Sequence, residues 1–222
     1  MKKNFLLRKY FFLFLVLTAV VFFISCSRTE PRIPFGFIEL VYYPVDGRPQ
    51  ERFSFFVIAE DDDGFENLSE LRLVNDREGL EWILDLEDWV HYEESGSHWI
   101  GSRSIAMVEG VTLPRGLYRA VLINKGGDKT EYRISFDVPE TPRFPFPTLN
   151  IIDGRYRIDS MYPENFFIVY DQQGNILRTM IIYSNEGDTV DLNIPGNGRL
   201  LALWAQDSEY HTSALTEAVS FQ

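Results

Sequence analysis

The most constraining feature of this chain is a strict alternation near its middle. Tyr132, Ile134, Phe136 and Val138 are apolar or aromatic, and Arg133, Ser135 and Asp137 between them are polar. Successive side chains on a strand point to opposite faces, so period two with one apolar face specifies a half-buried antiparallel strand. The same style recurs along the chain. The runs 37–43, 53–59, 71–74, 80–84 and 99–106 read as strands. Tyr118, Ala120 and Leu122 alternate as well, with Val121 and Ile123 on the opposite side, which is the mark of a strand covered on both faces. Between these and the first alternation lies 124–128, NKGGD, a hairpin turn signal. No amphipathic helix of three turns follows position 26, and 64–71 offers one helical turn at most. The expectation is an all-β chain.

About seven strands in about 100 residues is the count of an immunoglobulin-like sandwich. The segment 113–118, LPRGLY, resembles the tyrosine corner of Greek-key sandwiches. That resemblance assigns Tyr118 a bond to nearby backbone and Gly116 the tight approach before it. The cysteine pair of antibody domains is absent, so the resemblance, spanning 35–138, is to a fibronectin-like or bacterial Ig-like variant. Next comes 139–147, with four prolines, Pro139, Pro142, Pro145 and Pro147. Proline donates no ladder hydrogen bond and favours extended backbone, so this segment reads as a semi-rigid linker, with a long loop inside one domain as the alternative. Beyond it, 156–158, 166–170, 176–183, 190–194, 200–205 and 218–221 read as the strands of a smaller sandwich over 148–222, which packs on the first.

The N-terminus carries an address. Lys2, Lys3, Arg8 and Lys9 precede an uncharged run of 15 residues, 10–24, which is short for a spanning helix. It ends in Phe23, Ile24, Ser25 and Cys26, and this resembles the lipobox of bacterial lipoproteins, in the relaxed form found in spirochaetes. The resemblance implies cleavage before Cys26, acylation of that residue and export to the cell envelope. Residues 1–25 are then a signal helix and 26–34 a lipidated tether. An uncleaved transmembrane helix is the alternative. The membrane partner is reached through lipid, at the outer membrane or the periplasmic face of a bacterial membrane.

Composition closes off other classes. With 21 Lys+Arg against 33 Asp+Glu the net charge is −12. Removing the four basic residues of 1–25 leaves 17 basic against 33 acidic residues, a net −16. A surface of that sign does not bind the phosphate backbone, so no nucleic-acid partner is expected. The single Cys excludes an internal disulfide. With 18 Phe, 11 Tyr and 4 Trp, intrinsic disorder is excluded too.

Candidate chemistry is sparse. No nucleophile elbow or phosphate-binding glycine loop occurs, and no facing carboxylate pair is identifiable, so the chain reads as non-enzymatic. Aligned on Gly64, the residues Asp61, Asp63 and Glu70 fall on EF-hand ligand positions, but the first position is Ala59 and flanking helices are missing. A looser calcium loop on those three residues stands beside the plainer reading of a solvated Asp-Gly turn; otherwise no cofactor is expected. His91, Glu93, Glu94 and His98 offer zinc ligands, but without a helical HxxxH pattern and in a stretch that reads as a loop; ordinary surface histidines are the expectation. Trp89, beside Glu87 and Asp88, and Trp99 are candidate contact residues, and Trp82 a core residue. The resulting expectation is an envelope lipoprotein presenting β-sandwich surfaces to a protein partner, with carbohydrate or cell-wall binding as the alternative.

Overall fold

A computed structural model describes residues 29–108 and 112–221. The segment 1–25, read from sequence as a signal, and Cys26, read as its lipidation site, lie outside them. Among the described residues the regular structure is strand and short 3-10 turns, with no α-helix. The first segment supplies β1 (Gly36–Val45), β2 (Arg48–Ile58), β3 (Leu68–Asn75), β4 (Leu80–Asp85), β5 (Val90–Glu94), β6 (Ser97–Ile105), β7 (Gly116–Asn124) and β8 (Lys129–Phe136). The second supplies β9 (Thr148–Ile152), β10 (Arg155–Asp159), β11 (Glu164–Tyr170), β12 (Ile176–Ile181), β13 (Glu186–Asp188), β14 (Leu200–Asp207), β15 (Thr212–Leu215) and β16 (Val219–Ser220).

Three sheets result. β4-β3-β7-β8 form one and β13-β10-β9 a second. The third has nine strands in the order β12-β11-β14-β15-β1-β2-β6-β5, with β16 also on β14. Its centre joins the two halves of the sequence: β1 and β15 run parallel, with Leu40 beside Thr212 and Tyr42 beside Ala214.

The alternation of each strand decides what lies between the sheets. Leu40 and Tyr42 of β1, Phe53, Phe55 and Val57 of β2, Leu71 and Leu73 of β3, and Tyr118, Ala120 and Leu122 of β7 point into one core. At its centre Phe53 meets Phe136 and Tyr118 edge to face, with ring centroids 4.7 and 5.3 Å apart. Trp82 lies part-buried against it, 6.2 Å from Phe53. A smaller core gathers Tyr156, Ile158, Phe167, Val169, Leu201 and Leu203. Tyr162, Ala205 and Ala214 belong to the first core although they come from the second segment. Between β8 and β9 the proline segment 139–147 makes no ladder, and its Phe144 and Phe146 lie against the first core.

Two local expectations are corrected. The stretch 91–98 is a hairpin, not a loop: β5 and β6 pair with Glu94 opposite Ser97. Its two central turn residues, Ser95 and Gly96, both have positive φ, 53° and 79°, the requirement of the type I′ turn whose twist suits paired strands. The run 190–194 is not a strand but follows a 3-10 turn, Thr189–Leu192. Val190 is 80% exposed there, while Leu192 and Ile194 lie part-buried against the second core, so the alternation does not mark one strand face.

Candidate functional site

While residues 38, 40 and 42 of β1 enter the core, Phe37, Glu39, Val41 and Tyr43 must face the other way. They form the floor of a groove of about 500 Å³ on the outer face of the nine-stranded sheet. Tyr92 of β5 and Ile176 of β12 come from opposite ends of the sheet order and line the same groove. The sheet therefore curls around it. Phe56, Tyr170 and Trp204 add further aromatic surface, and Arg103 of β6 supplies a cation.

Two polar groups in this apolar trough stand out. Glu39 lies opposite Ser54 on β2 and keeps part of its surface open to the groove. Desolvation by the surrounding protein pushes its carboxyl up from 4.5 to about 7, because burial disfavours the charged form. Ser213 lies beside Val41 on β15, is 1% exposed, and its Oγ has no hydrogen-bond partner among the described residues. Buried hydroxyls are normally satisfied, by protein or by water. The hydroxyls of Tyr43 and Tyr170 are also pushed up by burial. The site therefore offers an apolar cleft, an ionisable carboxyl and an idle hydroxyl, an arrangement suited to holding a ligand.

The residues singled out from sequence are distributed differently. Trp89 is not a surface contact residue: it is 9% exposed and part of the first core. The turn Asp85–Trp89, held by Asp85 accepting from the backbone N–H groups of Glu87 and Asp88, tucks its ring inward. Trp99 is part-buried beyond the groove residues, its ring stacked on Tyr92 at 6.1 Å and 4° and edge-on to Phe35 and Phe37.

The three calcium candidates do not converge. Asp61 is engaged locally: Oδ1 accepts from the Asp63 N–H at 2.8 Å, and Oδ2 from the amides of Asn67 and Asn124 at 3.1 and 3.3 Å. Glu70, on β3, pairs with Arg72. Gly64, at φ 103°, opens the 3-10 turn Phe65–Asn67 in this loop. Tyr118 is fully buried, and its hydroxyl donates to the Pro114 carbonyl at 2.6 Å, the bond a tyrosine corner makes. Gly116, at φ 124°, begins that strand.

One buried ion pair was not anticipated. Arg115 donates to both carboxylate oxygens of Glu51, at 2.7 and 2.8 Å, and to the carbonyls of Leu113, Val138 and Pro139. It ties β2 to the start of the proline segment. Glu39, Ser213 and Glu51 carry no motif, and Arg115 lies inside the tyrosine-corner segment without being marked by it; the only signal for Glu39 was a charge at an outward position of an otherwise apolar strand.

No family model matches this chain, and no curated protein matches it. Among solved structures it is similar to dimeric latent PorU from Porphyromonas gingivalis, at 13% identity and a TM-score of 0.34 over 87% of this chain and 20% of that one. It is also similar to the Ig1-2 module of the Drosophila receptor tyrosine phosphatase DLAR, at 13% identity and TM-score 0.40 over 86% and 97%. A third is Tp47, the 47-kilodalton lipoprotein of Treponema pallidum, at 12% identity and TM-score 0.37 over 88% and 52%. The chain thus spans a fifth of the length of the first and about half that of Tp47.

Proposed function

We propose that this protein is a non-enzymatic binding module of the cell envelope, held to a membrane by lipid on Cys26, whose curled sheet grips an extended segment of a protein partner bearing a basic side chain. The observation that carries the reading is Glu39, a desolvated carboxyl set on an aromatic floor. A lysine or arginine entering the groove neutralises the Glu39 carboxylate. Its stem and charge also meet the faces of Tyr43, Tyr170 and Trp204, where cations are favoured. The net charge of −16 that remains without 1–25 favours the approach of such a segment. Arg103 at the same groove sets the spacing at which a second, acidic or carbonyl group of the segment is received.

The test is a peptide array probed with the full chain in detergent, followed by titration of hits against wild type and Glu39→Gln. Hits enriched in Lys or Arg, binding more tightly at pH 8 than at pH 5 and weakened by Glu39→Gln, are expected. Glycan binding without peptide binding would replace the reading with carbohydrate recognition. Anchoring is tested separately by labelling with a palmitate analogue: label must appear on wild type and vanish in Cys26→Ser.

A further inference from the structure

The β5–β6 hairpin does more than close the sheet. Its register sets Glu93 directly opposite His98 and His91 opposite Ile100. His91 and Glu93 are two apart on one strand and so share a face, and His98 joins them across the ladder. Tyr92, between His91 and Glu93, lines the groove, and Trp99 pairs with it on that face, so the histidines lie on the other side of the sheet. His91 Nε2 and His98 Nδ1 come within 3.2 Å, and His98 Nδ1 within 3.3 Å of Glu93 Oε1. All three ligand atoms lie within 4.8 Å of one another.

Two of these distances suit ligands of one metal ion. Two ligand atoms about 2.05 Å from a tetrahedral zinc are ~3.3–3.4 Å apart. Both short edges of the triangle match that separation. One ring nitrogen of His98 also faces two lone-pair atoms at once, and a single proton there serves only one of them well. Phe65, from the turn after the acidic loop, stacks on both imidazoles, at 4.3 and 4.6 Å, and holds the two rings side by side.

We infer that His91 Nε2, His98 Nδ1 and Glu93 Oε1 form a site for a divalent transition ion of the zinc class. Two imidazoles and one carboxylate supply three ligands, and the fourth position is open to water or to a group from outside the chain. Nitrogen donors select against calcium and magnesium, which take oxygen. The site lies on the edge strand β5, so a bound ion clamps that edge to its neighbour. It is independent of the groove and of the basic-segment reading.

The test uses the full chain in detergent, stripped with chelator and titrated with zinc against a competing chromophoric chelator. Cobalt(II) is titrated in parallel. One zinc per chain and an intense tetrahedral cobalt absorption in the visible are expected. His91→Ala and His98→Ala should each weaken zinc by more than about 100-fold, beyond the ~10–100-fold that loss of an outer partner costs. Asp61→Asn, in the neighbouring acidic loop, should leave affinity unchanged, and circular dichroism confirms that each variant folds. Less than one zinc per wild-type chain, a weak octahedral cobalt spectrum, or a loss under about tenfold in both histidine variants overturns the site.

Discussion

Glu39 shows how a single residue can be retained against stability. Its carboxyl is raised to about 7 in the fold against 4.5 ordinarily, by desolvation. The groups facing it across the groove are Tyr43 of its own strand, Arg103 of β6 and Tyr170 of β11. Because the folded state resists ionisation, the penalty is absent below pH 4.5, grows as pH rises, and is complete above 7. Glu39→Gln should therefore be neutral at pH 4 and stabilise by up to about 3 kcal/mol at pH 8, read as urea midpoints at both values. Equal midpoints at pH 8 would show the carboxyl to be well solvated. Glu51 and Arg115 act in the opposite sense. Their side chains are 7% and 14% exposed, and removing one leaves a charge stranded in the interior. Arg115→Met should cost about 3 kcal/mol in urea unfolding, and adding Glu51→Leu should restore most of it, because the desolvation penalty leaves with the pair.

At the scale of elements, legibility followed locality. The alternation at 132–138 became β8, and the NKGGD turn became the β7–β8 hairpin, because period and turn chemistry are both written within a few residues. The 91–98 hairpin was hidden because its turn is Ser-Gly in place of Asn-Gly and its strand is rich in His and Glu, poor β signals by propensity. By sequence the same residues are possible zinc ligands in a stretch that reads as a loop; only the register, which places His98 opposite Glu93, brings three of them together. Trp89 misled for a related reason: acidic neighbours suggested exposure, whereas a turn anchored by Asp85 reverses the chain and buries the ring. Register also explains Gly101. It faces Phe56 on β2, next to the irregularity between Phe53 and Phe55, and an added Cβ would overlap the Phe55 carbonyl and sit 2.8 Å from Phe56 Cα. The β2 backbone it meets cannot yield without breaking the ladder. Gly101→Ala should destabilise by about 3 kcal/mol, the upper end of overpacking costs, and denaturant melts with matched m-values will measure it.

For the whole molecule, the decisive contact is the parallel seam between β1 and β15. Nothing local predicts it: Thr212–Leu215 is four residues long, and its partner lies about 170 positions earlier. The seam is both backbone and core. The Leu40 N–H donates to the His211 carbonyl at 2.9 Å, while Ala205, Ala214 and Tyr162 cover the same core that Leu40 and Tyr42 enter. It also builds the groove, since Glu39 and Ser213 come from its two sides. A chain ended after Pro147 keeps every strand of the first segment but turns β1 from a central strand into an edge and uncovers apolar surface beside it. An exposed edge recruits another chain, and the lost cover weakens the core. Such a truncation should unfold about 3 kcal/mol more easily, a fall of roughly 10–20 °C in Tm, and should self-associate in sedimentation. Glu51→Gln in the truncated and full chains provides a common reference for the first core. A truncated chain that stays monomeric with the Tm of the full protein would make the seam a contact between two self-sufficient modules. A truncated chain that weakens and dimerises makes the nine-stranded sheet the folding unit, and with it the groove a property of the whole chain.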